Sequence, residues 1–293
     1  MFDAAAEERA LLILLHERGM SHAKVRTSIT EKLSPSEILA SVRGVQLDFF
    51  DASDVDERLK EWRSRGIWVT NVTADDYPRQ LRGVHDHPLF LFGLGAQADD
   101  ARSVAIVGSR EPVTGALQYA HDVAAELGRR GLTVVSGLAK GIDAAAHAAA
   151  LSVGARTVAI VGTGVDRIYP RENQGLYKEI LQEGQILSQF WPGSSPTRAS
   201  FPMRNVTMSG YSGATLIVTA SEKSGTKHQA YAAVNHGRPL FLTHQVAEGT
   251  SWGRDYVERG VAHVVGTILE AADSIENAAS NDYLAEVWGS ASR

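Results

Sequence analysis

The residues best suited to chemistry lie in the middle of the chain, in Ser136-Gly137-Leu138-Ala139-Lys140-Gly141-Ile142-Asp143. An apolar run, Leu132-Thr133-Val134-Val135, precedes them, and an Ala-rich run over residues 144–151 follows and stops at Gly154. This order predicts a buried strand that turns through Ser-Gly into a helix. The first-turn N–H groups of such a helix have no intrahelical partner, and with the helix dipole and a nearby Lys they suit a phosphate oxygen. Gly137 and Gly141, lacking a Cβ, are expected where backbone approaches a ligand closely. Small-residue loops recur at Gly108-Ser109-Arg110, Gly162-Thr163-Gly164 and Ser224-Gly225, so the chemistry on offer is anion binding at several subsites.

Competing chemistries fail on their spacing. Gly162-Thr163-Gly164 lacks the third glycine of a dinucleotide fingerprint, because Arg167 stands there. No G-x-x-x-x-G-K-[ST] run and no H-E-x-x-H run occurs. Gly210-Tyr211-Ser212-Gly213 is followed by Ala214, where a nucleophile elbow needs glycine. His85-Asp86-His87 offers two histidines at i, i+2 with no third ligand nearby in sequence, which reads as a loop. With no cysteine, disulfides and thiolate metal sites are excluded. No nucleophile, metal or cofactor is assigned, and the chain reads as non-catalytic.

The elements that position these loops alternate from Ser103 onward. Strands are expected at Val104-Ala105-Ile106-Val107, Thr157-Val158-Ala159-Ile160-Val161, Gln185-Ile186-Leu187-Ser188, Thr215-Leu216-Ile217-Val218 and Pro239-Leu240-Phe241-Leu242, with helical stretches between them. That alternation is the signature of a parallel α/β sheet covered on both faces. A long loop over residues 191–203 precedes a short helix from Arg204. Ligands of open parallel sheets bind beyond the carboxyl ends of the strands. This puts Arg110, Lys140, Arg167, Arg171, Arg198, Arg204, Lys223 and Lys227 near one rim, with Glu111, Asp143, Asp166, Glu172 and Glu222 among them.

Before this region the pattern is helical, with Leu11, Leu12, Leu14, Leu15, Val25, Ile29, Ile38, Leu39 and Leu59 at helical spacing. Ser34-Pro35-Ser36-Glu37 starts one helix, with Pro at its first position. Residues 16–20 have a faint helix–hairpin–helix look without the paired glycines. The expected division is a helical domain over 1–74, an extended Rossmann-like domain over 75–270 and a short polar tail over 271–293. The first domain is expected to be separable near Thr73 and dispensable for the anion site. A net charge of −5 across 293 residues excludes a generally basic nucleic-acid coat, so any such site is a local cluster. No apolar run approaches the roughly 18 residues that span a bilayer, and no signal-peptide pattern opens the chain. A cytoplasmic location is expected.

Several ordered segments carry a family resemblance. Gly108-Ser109-Arg110, residues 136–143, Gly162-x-Gly164-x-Asp166-x-x-Tyr169-Pro170-x-x-Asn173, and Phe201-Pro202-Met203-Arg204-Asn205 resemble those of the DNA-processing protein A (DprA/Smf) family. Asp75-Asp76-Tyr77-Pro78, His87-Pro88-Leu89 and Ser224-Gly225 are similar to its entry segment and late loop, and the likeness runs over about residues 70 to 266. The resemblance implies an extended Rossmann fold that binds single-stranded DNA as a homodimer. It also implies loading of a RecA-type recombinase on that strand during DNA uptake and recombination. By the same resemblance, Gly108, Ser109, Arg110, Ser136, Gly137, Lys140, Gly141, Phe201, Arg204 and Asn205 line the DNA pocket. Arg110, Lys140 and Arg204 are expected to meet phosphates.

Differences mark a divergent member, including one recruited to a defence role. Val206 stands where the family has a second Arg, Gln189 where it has Glu, and Thr219 at another family Glu. A C-terminal winged-helix domain, found in many members, has no counterpart. Two other readings stay open. One is a nucleotide-binding sensor of the wider superfamily, whose hydrolase branch is disfavoured because Gln229 replaces the signature Glu after Ser224-Gly225-Thr226. The other is an interaction scaffold. A homodimer is expected, from the resemblance and from the exposed-looking apolar content of Leu240 to Val246 with Tyr256 and Val257, with no surface assigned to it.

Overall fold

The computed structural model describes residues 4–16, 21–42 and 52–279. The chain divides into two compact units, residues 1–77 with 88–91, and residues 78–87 with 92–293.

The first unit contains α1 (Ala4–His16), α2 (His22–Thr30), α3 (Pro35–Val42), α4 (Ala52–Ser64) and β1 (Trp68–Asn71). Its starts are set by side chains. Ser21 accepts from the Lys24 N–H, and Ser34 and Glu37 cap each other reciprocally ahead of Pro35. Leu11, Leu12, Leu14, Val25, Ile38, Leu39, Val55, Leu59 and Trp62 are buried together by their helical spacing. The expected boundary at residue 74 falls instead after Tyr77, and residues 88–91 rejoin this unit. The Val72 N–H donates to Leu89 O, and the Tyr77 hydroxyl donates to Pro88 O at 2.6 Å. The hairpin-like stretch at 17–20 lies outside the described residues.

The second unit holds α5 (Arg79–Arg82), most of β2 (Phe90–Gly95), β3 (Ser103–Val107), α6 (Thr114–Arg129), β4 (Thr133–Ser136), α7 (Ile142–Ser152) and β5 (Thr157–Ile160). Then follow α8 (Gln174–Glu183), β6 (Gln185–Ser188), α9 (Ser200–Tyr211), β7 (Ala214–Ile217), α10 (Thr226–Asn235) and β8 (Leu240–Thr243). The last elements are α11 (His244–Gly249), α12 (Ser251–Glu258), β9 (His263–Val265) and α13 (Ile268–Ala278). Within the second unit the strand order is β2-β6-β5-β4-β3-β7-β8-β9. From β6 to β9 every pair is parallel, while β2 runs antiparallel to β6. The expected Rossmann-like α/β sheet is present.

Short apolar strands make this sheet because both faces are covered. Val104 and Ile106 of β3 meet Val123 and Leu127 of α6 and Ala146, Ala149 and Ala150 of α7 in one buried cluster. Asp100 sits at the edge of this core, almost wholly buried. Its carboxylate accepts from Thr133 Oγ1 (2.8 Å), Arg156 Nε (2.7 Å) and the Tyr211 hydroxyl (2.7 Å). Three elements far apart in sequence are thus tied through one anion. No helix among the described residues is long and apolar enough to cross a membrane.

Three expectations are corrected. Residues 271–279 are no polar tail, because Ala271, Ala272, Ile275 and Ala279 bury one face of α13 in the core. The polar residues form its other face, where Asp273 and Glu276 pair with Arg130 at 2.6 and 3.1 Å. Leu240, Phe241, Leu242, Val246 and Tyr256, whose apolar content looked exposed from sequence, are buried within the unit itself. The helix expected from Arg204 begins at Ser200, where the Thr197 hydroxyl accepts the Ser200 N–H.

The His147 ring on α7 is buried, 2.7 Å from Thr157 Oγ1. Burial, reinforced by the Arg204 charge, lowers its pKa to about 3. Below the ordinary value near 6.5 the unfolded ring takes a proton that the folded ring refuses, so stability is lost as pH falls. Between pH 6.5 and 5 this costs about 2 kcal/mol at roughly 1.4 kcal/mol per pH unit. Urea unfolding should show the wild type losing about that much more than His147→Gln over this range. Equal losses in both would contradict the buried neutral ring.

Candidate functional site

The strand order reverses at β3, which has β4 on one side and β7 on the other. Chain leaving β3 and β7 therefore diverges, and a crevice opens beyond their carboxyl ends. A cavity of about 560 Å³ lies there, between residues 107–111 after β3, the first turns of α9, and residues 224–229 at the start of α10. A second cavity of about 230 Å³ shares Arg110, Phe201 and Arg204 with it. Lys140, Gly162 and Tyr169 complete its wall.

The structure brings most of the sequence-derived residues together here. Gly108, Ser109, Arg110, Phe201, Arg204 and Asn205 line the larger cavity. Gly137 and Lys140 line the smaller one. Ser136 and Gly141 line neither. The Ser136 hydroxyl is buried and donates to Ile106 O at 2.6 Å, which ties β4 to β3. Arg167, Arg171, Arg198, Lys223 and Lys227 also stay out of both walls. The Arg167 Nε donates to Gly193 O at 2.6 Å.

Arg204 has a different task from the one its charge implied. Only 6% of it is exposed, and its Nη1 donates to Gly137 O (2.6 Å) and Ile160 O (2.7 Å), at the carboxyl ends of β4 and β5. Its Nε donates to Asn205 Oδ1 at 3.0 Å. Burial pulls the guanidinium pKa down, and the Asp143 carboxylate opposes that shift. Burial likewise pushes Asp143 up, while the Arg204 charge and the N–H groups of Ala139 and Gly137 hold it down. Arg204 is a buried brace between helix and sheet.

Two glycines of the turn make room for neighbouring atoms of the chain. A Cβ on Gly137 would stand 2.0 Å from Arg204 Nη1. Gly141 has φ of +77°, and a Cβ there would stand 2.4 Å from Ser109 O. The outward-facing amides expected at this turn are also engaged. Asp143 Oδ2 accepts from the N–H groups of Gly137 (3.2 Å) and Ala139 (3.4 Å), and the Ile142 N–H donates to Ser109 O. A carboxylate of the chain's own first turn takes the place of an external anion. Asn173 Nδ2 holds the same turn by donating to Leu138 O at 2.9 Å, where Leu138 has φ of +56°. Thr219, at a family Glu position, accepts the Ser109 N–H at 2.9 Å.

Cations and rings remain open to a ligand. The Arg110 guanidinium carbon lies 5.4 Å from the Phe201 ring centre, and the Tyr169 ring lies 5.9 Å from it on a tilt. Tyr169 is 43% exposed. Gly162 admits the ring, since a Cβ there would stand 3.1 Å from Phe201 Cδ1. Lys140 is half exposed and paired with Glu172 at 2.6 Å, which raises its pKa and lowers that of Glu172. Tyr169 and His228 were not identified as wall residues from sequence. Tyr169 stood in the Tyr-Pro segment that carried the resemblance, and its neighbour Phe201 lies 32 residues on, so only the fold pairs them. No residue of the cluster His85, Asp86 and His236 lines either cavity.

Gly137→Ala should displace the Arg204 guanidinium and forfeit charged hydrogen bonds, a loss of about 2–4 kcal/mol in urea unfolding. Gly225→Ala is the contrast, with φ of −59° and nothing within 4 Å of the added atom, and should shift stability by less than about 0.5 kcal/mol. Equal stability of the two variants would contradict the brace.

The model of the DNA recombination-mediator protein A family matches residues 68–277. DNA processing protein DprA of Bacillus subtilis is 36% identical over 185 residues, covering 62% of this chain and 62% of its own length. Protein Smf of Synechocystis is 41% identical over 189 residues, covering 62% of this chain and 47% of its own. The chain thus matches less than two thirds of these relatives' length. The DprA structure from Streptococcus pneumoniae aligns with a TM-score of 0.68 at 27% identity, covering 90% of this chain and 92% of that one. DNA processing protein A from Helicobacter pylori, a structure concerned with its single-stranded DNA binding mode, aligns at 0.64 and 28% identity, covering 72% and 96%. With its crevice loops inside the matched segment and its fold shared with two solved members, the chain belongs to the DNA recombination-mediator protein A (DprA/Smf) family.

Proposed function

We propose that this chain is a non-catalytic, cytoplasmic protein that binds single-stranded DNA across the crevice at β3 and β7. The observation that carries the reading is the set of groups gathered there: the Arg110 and Lys140 charges beside the adjoining rings of Tyr169 and Phe201. Cations that follow a backbone, next to faces on which bases stack, suit a flexible strand of any sequence. Single-stranded DNA binding by the similar Helicobacter pylori protein supports the same ligand class. A recombination role, with delivery of the strand to a RecA-type recombinase by a homodimer, is the finer part of the proposal. The dimer surface then lies outside the buried residues 240–242.

A second reading, nucleotide sensing, is favoured by the larger cavity, whose 560 Å³ lies in the range of small-molecule sites. Fluorescence anisotropy of a labelled oligothymidine across a salt series separates the two. Arg110→Ala and Lys140→Ala should each weaken binding and lower the salt slope by about 0.7, the value for one phosphate contact on a single strand. Phe201→Ala and Tyr169→Ala should weaken binding by about 1–3 kcal/mol per lost stack with the slope unchanged. Glu172→Gln should strengthen binding, because it frees Lys140. Light scattering of the protein with the strand should give the mass of two chains per particle. Unchanged affinity in all four wall variants overturns the crevice as the DNA site, mononucleotide competition at equal affinity favours sensing, and a particle holding a single chain overturns the dimer.

A further inference from the structure

Three metal-type donors converge at the C-terminal end of α10, away from the crevice. His236 caps that helix, and its side chain has no exposed surface. Its Nε2 lies 2.7 Å from Asp86 Oδ1, and Asp86 Oδ2 lies 3.7 Å from His85 Nε2. One donor atom from each residue lies within 4.8 Å of the other two. The first turn of α10 lines the larger cavity, and ten helical residues at about 1.5 Å each put His236 about 15 Å away from it. From sequence, His85-Asp86-His87 lacked a third ligand. The fold supplies one 150 residues away, while His87 turns aside with its Nδ1 2.7 Å from Val84 O.

The surroundings orient these donors. Ser209 Oγ lies 3.0 Å from His236 Nδ1, so the ring is held from behind and Nε2 faces Asp86. A ligating histidine is held in this way, with its second nitrogen on an outer hydrogen-bond partner. The Arg238 Nη2 donates to Gln80 O (2.8 Å) and Gly210 O (3.2 Å), which fastens the segment carrying His85 and Asp86 beside α9 and α10. Gly210 allows that approach, since a Cβ there would stand 2.9 Å from Val84 Cγ2. The order Ser209, His236, Asp86 also matches a hydrolytic triad, but Ser209 and the His236 ring are fully buried, so no substrate reaches the hydroxyl.

We infer that His85, Asp86 and His236 form a binding site for a borderline divalent transition metal, with Zn(II) as the representative ion. Two imidazole nitrogens and one carboxylate oxygen suit Zn(II), Co(II) or Ni(II) and disfavour Mg(II) and Ca(II), which take oxygen ligands. A tetrahedral ion with bonds near 2.0–2.1 Å holds its donors about 3.4 Å apart. The His85 side chain is 70% exposed and that of Asp86 about one-third, so the ion enters from solvent. The buried His236 is the fixed ligand, and water takes the fourth position. The ion clips residues 85–86 to the end of α10 and so adds to stability, with no part in strand binding.

The test is isothermal titration of Zn(II) into the metal-stripped full-length chain at pH 7.5, with Co(II) absorbance as a second readout. The expected result is one Zn(II) per chain and tetrahedral Co(II) bands. His85→Ala and Asp86→Asn, both at solvent-accessible positions, should each weaken Zn(II) at least tenfold while circular dichroism stays unchanged. Ser209→Ala should weaken it about tenfold through the lost hold on Nδ1. Saturating Zn(II) should raise the wild-type Tm by about 5 °C and leave that of His85→Ala unmoved. Absence of saturable Zn(II) binding to the folded wild type overturns the site, as does binding that neither His85→Ala nor Asp86→Asn changes.

Discussion

The crevice depends on one buried charge. Taking a guanidinium out of water costs several kcal/mol unless its donors and its charge are both answered. Arg204 meets that demand with carbonyls that end two adjacent strands and with the carboxylate of Asp143 nearby. The arrangement reads in both directions. The strand ends gain a donor for their last carbonyls, and α9 gains a fixed position over them. Phe201 lies one helical turn ahead of Arg204 and Asn205 one residue after it, so the ring that faces the crevice is placed by the buried arginine.

Two classes of charge follow from this. Buried or partly buried charges, Arg204 with Asp143 and Arg156 with Asp100, hold elements together. Exposed ones, Arg110 and Lys140, stand at the lip of the crevice, where Lys140 is paired with Glu172. The chain is acidic overall, at −5, so these cations act locally and not as part of a basic surface. On the proposed reading, a recessed crevice with tilted rings and few exposed cations would suit an unpaired strand, whose bases are free to stack. A stiff duplex keeps its bases stacked inside and presents only phosphate.

Much of the sheet was legible because buried parallel strands read as unbroken apolar runs, as in Val104 to Val107 and Ile186-Leu187. The candidate site was legible in residue type and less so in reason. Gly137 and Gly141 are required by the close approach of Arg204 and of Ser109 O, contacts that no local sequence signal reveals. The positive charge of Arg204 suggested phosphate, since nothing local to it reveals that its partners are carbonyls 67 and 44 residues away. The C-terminal helix α13 was missed for a related reason: its Glu270, Asp273 and Glu276 dominate the composition while four small apolar positions do the packing. Asp100 and His236 gave no local sign at all, because their partners lie up to 111 and 150 residues away.

The central claim is that a single strand lies against the Tyr169 and Phe201 rings in the crevice. Photo-crosslinking tests it most directly, with an oligothymidine carrying 5-iodouracil, followed by mass spectrometry of the adducted peptides. The account predicts adducts at Phe201 and Tyr169, lost when Arg110 and Lys140 are both replaced by alanine. Adducts confined to peptides outside residues 107–229, with none at either ring, would contradict it.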